Sequence, residues 1–455
     1  MQRLPELARA PDARTLLESA EARAEIERLR AAPQVDYRRA MALKRRALEP
    51  LARALFAGDG ARRDAFERYA RARPELEAYA RFRATVEARR TGWRAWPARL
   101  RNGRLDAGDV SGDARDFHRY VQWAAEEQIA DAARADGAAL YLDLPLGVHP
   151  DGFDTWRERK LFAQGATAGA PPDTFFTGGQ NWGFPPLHPE RIRSTGYAYV
   201  RACLRHHLRH AAVLRVDHVM SWHRLFWIPE GLDPTHGLYV RYQPEELYAI
   251  AALESHRAGS LVAGEDLGTV PREVRTTMAR HRVHRTYVAQ YASAPDARRP
   301  LGAIPGDSVA SLNTHDMPPF AAFWNGLDID ERRRLGWLDE RAARAERRTR
   351  ESQTRAWFAF LRRHGFAETT DRDDPAALAA AVHAALGASR ARLVLAGLED
   401  LWAETEPQNV PGTGPERANW RRVARHPLEA FSQMDDVLRA LCRLNEFRKG
   451  REDSI

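Results

Sequence analysis

The sequence predicts an α/β chain: a (β/α)8 barrel of the TIM type, incomplete, preceded by a helical N-terminal subdomain. Three observations predict it. From about residue 131, short apolar runs alternate with amphipathic helical stretches, the pattern of a parallel sheet with crossover helices. Several of those runs end in an acidic residue, namely Asp143, Asp217, Glu265, Asp316 and Glu399. The C-terminal strand ends of such a barrel form its active face. Finally, no glycine-rich phosphate loop follows the first run, where a doubly wound open sheet would place one.

The elements follow in order. Residues 1–130 read as helical, because "TLLESAEARAEIERLRAA", "YRRAMALKRRALEPLARALF" and "AFERYARARPELEAYARFRATVEA" repeat apolar residues at spacings of three and four. Proline and glycine interrupt them at "APQVDY", "AGDGAR" and "GWRAWPARLRNG". Residues 131–430 read as the barrel. Its strand candidates are 138–146, 212–219, 260–267, 285–291, 308–316 and 392–402, with helix signals such as "TGYAYVRACLRHHLRH" between them. That is six strands where a closed barrel has eight. Residues 431–455 read as a C-terminal helix.

Composition narrows the function. The chain has 455 residues, 44% hydrophobic, with a formal charge of +8. Lysine occurs only at Lys44, Lys160 and Lys449, so arginine carries the charge, scattered among acids as in "RRTRESQTR". A phosphate-binding face would cluster it, and no nucleic-acid partner is expected. Cys203 and Cys442 lie in apolar helical patterns and read as buried free thiols. The N-terminus lacks an apolar signal core, and no run approaches the ~20 apolar residues of a membrane span. A soluble cytoplasmic protein without membrane contact is expected. His206 and His210 are spaced i, i+4, but with no acidic residue nearby in sequence they read as a solvated helix end rather than a metal site.

The chemistry lies at the strand ends. In "LRVDHVMSWHR" (214–224), strand alternation sends Leu214 and Val216 to the outer helices and Arg215 and Asp217 to the barrel mouth. The arginine keeps the carboxylate ionised, as a nucleophile requires. A structural Arg–Asp pair capping the strand explains the spacing equally well. In "VAGEDLGTVP", Glu265 sits between an apolar strand and a second acid. Its pKa should rise, as a general acid requires. Asp266 reads better as the acid of a helix N-terminus. In "SLNTHDMPPF", His315 and Asp316 precede a Pro-Pro turn and can bond sugar hydroxyls, or Asp316 can simply open the turn. Two carboxylates flanking a glycosidic bond make a retaining glycosidase-type site, and three acidic strand ends about fifty residues apart are more specific than one. Trp182, in the Gly/Pro-rich loop 177–192, offers a face for a pyranose ring or packs the loop.

These stretches, with "DLPLGVHPDGFDTW", "APPDTFFTGGQNWGFPPL", "NTHDMPPFAAFW" and "ETEPQNVPGT…NW", resemble glycoside hydrolase family 77, the 4-α-glucanotransferases or amylomaltases of the α-amylase-like clan. They keep the family's order over roughly residues 115–425. The resemblance implies that Asp217 is the nucleophile, Glu265 the general acid/base and Asp316 the transition-state stabiliser. It implies that Arg215, His315 and Asp151 contact the sugar at the cleavage point, that Trp182 lies on a mobile loop over the glucan, and that Asn409 is a further glucan contact. The implied reaction moves α-1,4-glucan segments between maltooligosaccharides by double displacement, with no metal and no cofactor. In the clan the "DLP" strand is the third of the barrel, so the six strands would be the third to the eighth. A fragment or mis-started reading frame, a barrel completed by a separate partner chain, and a non-catalytic remnant each fit that count, the first being favoured. The alternatives in function are a same-clan α-glucan hydrolase and a catalytically silent glucan-binding fragment.

Overall fold

The computed structural model of the chain describes residues 3–173, 178–296, 298–414 and 416–452; residues 174–177 of the loop bearing Trp182 lie outside them. Among the described residues, ten strands run in chain order: β1 (Tyr141–Leu144), β2 (Ala166–Ala170), β3 (Gln180–Asn181), β4 (Val213–Val216), β5 (Arg224–Pro229), β6 (Leu238–Arg241), β7 (Leu261–Gly264), β8 (His284–Val288), β9 (Ser308–Ser311) and β10 (Leu393–Leu395). Six of them, in the order β1-β4-β7-β8-β9-β10, form a curled parallel sheet. This half-barrel contains all six strands expected from sequence. Among the described residues, no strand pairs with the outer edge of β1 or β10.

Alternation along β4 sorts its side chains as expected. Leu214 and Val216 are buried among Leu204, Leu208, Leu247 and Tyr248 of the covering helices. Val213 faces the other way and joins Ala263 and Val309. The register pairs Asp143 with Arg215 and Arg215 with Ala263, so these positions share the concave face. On the far half of the sheet, Tyr287 and Ala310 pack against Phe320, Trp357 and Leu361. Burying each such large apolar side chain contributes about 1.5–3 kcal/mol.

A second sheet lies outside the sequence reading. It is antiparallel, in the order β3-β2-β5-β6, and spans residues 166–241. Its strand β2, "ATAGA", is built from small residues and Thr167, with little of the bulky β-branched and aromatic content that marks a strand.

The N-terminal residues are helical. Helix Tyr37–Ala57 starts at Asp36, whose side chain accepts the Arg39 N–H at 3.0 Å, a normal N-cap. It buries Ala47, Leu51, Ala52 and Leu55 on one stripe. These meet Phe66, Tyr120 and Trp123 from the neighbouring helices. Phe82, Trp93, Trp96 and Trp156 form a second cluster that ties this region to the chain after β1. The last helix, Asp435–Glu452, packs Val437 and Ala440 against Leu401 and Trp402. Cys442 on it is exposed, which corrects the expectation of a buried thiol; Cys203 is half-buried. Among the described residues no helix is long and apolar enough to cross a membrane.

Candidate active site

The ends of β4 and β7 are locked together. The Glu265 N–H donates to the Val216 carbonyl at 2.9 Å, and the Val219 N–H returns to the Glu265 carbonyl at 3.1 Å. Between them, the His218 N–H donates to Glu265 Oε2 at 3.0 Å. His218 reaches that bond from a left-handed backbone, φ 46°, a region L-residues rarely adopt. Gly264 permits the approach: a Cβ there would lie 2.9 Å from Val219 Cγ2 and 3.0 Å from Met278 Cε. The turn that carries Asp217 is thereby fixed against the carboxyl of Glu265.

Electrostatics divide the two carboxylates. Arg215 Nη2 pairs with Asp217 Oδ1 at 2.8 Å. Its Nη1 donates to both Asp143 oxygens, each at 2.8 Å. Among the described residues, no cation forms an ion pair with Glu265. Burial pushes its carboxyl up to about 7 and the neighbouring Asp217 charge adds to this, against the Leu267 N–H that donates to Oε1. One acid is thus held by a guanidinium while the other keeps its proton near neutrality, the split expected of a nucleophile and a general acid.

Asp316 and His315 lie on the turn after β9. Asp316 Oδ2 is 3.4 Å from His315 Nε2, and Oδ1 accepts the Asn409 amide at 2.6 Å. Burial works to raise the Asp316 carboxyl. The bonds from His315 and Asn409 outweigh it and hold the group below its ordinary value, while Asp316 raises the His315 imidazole.

A profile of glycoside hydrolase family 77, described as 4-alpha-glucanotransferase, matches residues 6–427. The chain belongs to that family. It is 38% identical over 360 residues to a 4-alpha-glucanotransferase of Mycobacterium tuberculosis, covering 76% of this chain and 50% of that protein. It is 30% identical over 469 residues to the Haemophilus influenzae 4-alpha-glucanotransferase, covering 96% of this chain and 66% of the other. The chain therefore spans half to two-thirds of these curated relatives. Among solved structures, the amylomaltase of Corynebacterium glutamicum superposes with a TM-score of 0.83 at 26% identity, over 98% of this chain and 64% of that one. An amylomaltase from Streptococcus agalactiae in complex with acarbose shares the fold, with a TM-score of 0.73 at 17% identity, over 92% of this chain and 80% of that one.

Of the residues that the family resemblance singled out, the structure gathers most but not all. Asp217, Glu265 and Arg215 form one cluster, and His315, Asp316 and Asn409 form another on the same end of the sheet. Asp151 has a different ionic partner. Its carboxylate pairs with Arg94 at 3.1 Å and fills the space a Cβ on Gly92 would need, facing the N-terminal helices. The acid that meets Arg215 besides Asp217 is Asp143, which the sequence reading noted as a strand end but left off the site; its register opposite Arg215 was the available signal. Trp182 is half-buried against the core, stacked at 6.2 Å on Phe184 and edge-on at 5.3 Å to His218. It packs the loop beside the site. Asp266 is fully buried between Arg275 and Arg285. His210 lies 3.1 Å from Glu126, an acid brought in from helix Gly112–Ala133 that was not near in sequence; Arg73 and Arg209 share that carboxylate. A cavity of about 800 Å³ lies between β1 and the N-terminal helices. It touches Asp217 but not Glu265, His315 or Asp316.

Proposed function

We propose that this chain carries the catalytic half of a 4-α-glucanotransferase that moves α-1,4-glucan segments between maltooligosaccharides. The observation that carries the reading is the divided pair of Asp217 on Arg215 and Glu265 raised to about 7 by burial. Asp217 attacks the anomeric carbon while Glu265 gives its proton to the departing glycosidic oxygen, leaving a glycosyl-aspartate. Glu265 then removes the proton from the 4-hydroxyl of a second glucan, which displaces Asp217. Retention follows from the two inversions. Asp316, fixed by His315 and Asn409, binds the ring hydroxyls as positive charge grows on the sugar, and Asp143 steadies Arg215. Asn409 serves through Asp316 and Trp182 through packing. Neither metal nor cofactor enters these steps. A cytoplasmic setting belongs to the same reading, supported by two cysteines that are not paired with each other.

Product separation after incubation with maltotriose tests this, with Asp217→Ala as control. Glucose together with a ladder of longer maltodextrins, absent from the variant, is the expected result. Glucose and maltose without longer products would instead make the protein a hydrolase, in which water takes the acceptor's place. Binding without turnover would make it a silent glucan binder.

A further inference from the structure

Above His315 stands an aromatic residue that the reaction does not use. Trp420 is 48% exposed, and its backbone is left-handed, with φ 61°. Such a conformation is an outlier for a bulky side chain and persists only where the surroundings impose it. Here they do so from several sides. The Trp420 N–H donates to the Gln408 carbonyl at 2.7 Å, and its carbonyl accepts the Tyr37 hydroxyl. The next residue's carbonyl accepts the Val35 N–H at 2.7 Å. Asn409, adjacent to Gln408, is the group that grips Asp316. The indole ring centre lies 5.5 Å from that of His315. Strain is thus maintained, and burial forgone, to hold an indole open to solvent at the rim of the site.

Tyr37 extends this surface. It is 55% exposed, and its hydroxyl is engaged by the Trp420 carbonyl, so the phenol ring is what it offers to solvent. Met41, one turn further along the same helix face, is also exposed.

We propose that Trp420 and Tyr37 form a platform for glucose units of an α-glucan lying beyond those at Asp217 and Glu265, and so set a preference for longer chains. Aromatic faces are large, rigid and apolar, and suit the C–H face of a pyranose, while the hydroxyls at the sugar's rim stay in water. The platform adjoins His315 directly, so a chain bound at the trio passes over it. The inference rests on the glucan reading above.

Calorimetry on the full chain tests it, in an Asp217→Asn background that stops turnover. Trp420→Gly removes the indole while glycine accepts the left-handed backbone, and Trp420→Asn, also tolerated there, is the second variant. Thermal unfolding checks that both are folded. Maltoheptaose binding is expected to weaken on the order of tenfold in either variant, and comparably in Tyr37→Ala, with maltotriose affected less. Unchanged maltoheptaose affinity in a folded Trp420→Gly chain overturns the platform. So does loss of self-association without any change in glucan affinity, which would mark the patch as a contact between copies. Failure of the Asp217→Asn parent to bind maltoheptaose at all overturns the glucan reading and the platform with it.

Discussion

Glu265 is where a single side chain has the most measurable effect. Its carboxyl is raised to about 7 by burial, and only the protonated form can donate to a leaving oxygen. We therefore expect kcat/KM to fall above about pH 7, roughly tenfold per pH unit; a pH–rate profile flat to pH 9 would refute the assignment. The same shift costs stability. The unfolded carboxyl ionises near its ordinary value and the folded one near 7, so the folded state binds the extra proton between them and stability falls as pH rises through that window. Glu265→Gln should accordingly lower kcat by 10²–10⁴-fold. It should raise stability at pH 8 by about 1–2 kcal/mol once partial solvent screening is allowed for, measured by urea unfolding. At this scale the sequence was legible where strand alternation decides direction, as at Arg215 and Asp217. It was illegible where a loop decides it. Asp143 and Asp151 are eight positions apart in one acidic stretch, and only the fold shows that one meets Arg215 and the other Arg94.

Among the elements, helix Pro375–Gly387 holds a second titratable weakness. His383 is fully buried within it, and burial lowers its imidazole to about 4 against a pull from the Ala379 carbonyl. An unfolded histidine titrates near 6.5. The unfolded chain therefore binds the extra proton between about 6.5 and 4, and stability falls as pH is lowered through that range. At 1.36 kcal/mol per pKa unit this amounts to about 3 kcal/mol. Unfolding in urea at pH 7 and pH 4.5 should show the loss, and His383→Leu should reduce it; an equal loss in the variant would place its origin elsewhere. The parallel strands were legible as elements because each is a short apolar run with a polar end. The antiparallel sheet was not: β3 has two residues, β6 is largely exposed, and β2 is mostly alanine and glycine. The pairing of β2 and β6 is set by the partner strand β5, and that of β3 by β2, not by their own composition.

For the whole molecule, the outer edges of β1 and β10 decide behaviour in solution. Unpaired strand edges are templates for pairing with another chain, and Leu395 at one of them is 37% exposed. Concentration-dependent association is expected in analytical ultracentrifugation, reduced by Leu395→Lys; a uniform monomer at every concentration would contradict it. The clasp between residues 35–37 and 420–422 has a different consequence, for the order of assembly. Its bonds join positions 383 and 386 residues apart, and closing so long a loop is slow and entropically opposed until both ends are held. During synthesis, the helix that begins at Tyr37 emerges before the sheet and has to wait for all six of its strands before the partner segment leaves the ribosome. The acids at the ends of β4 and β7 can therefore be in register while the segment bearing Asn409 and Trp420 is still undocked. A late folding intermediate should have a formed Asp217–Arg215 pair and an Asp316 that Asn409 does not yet hold.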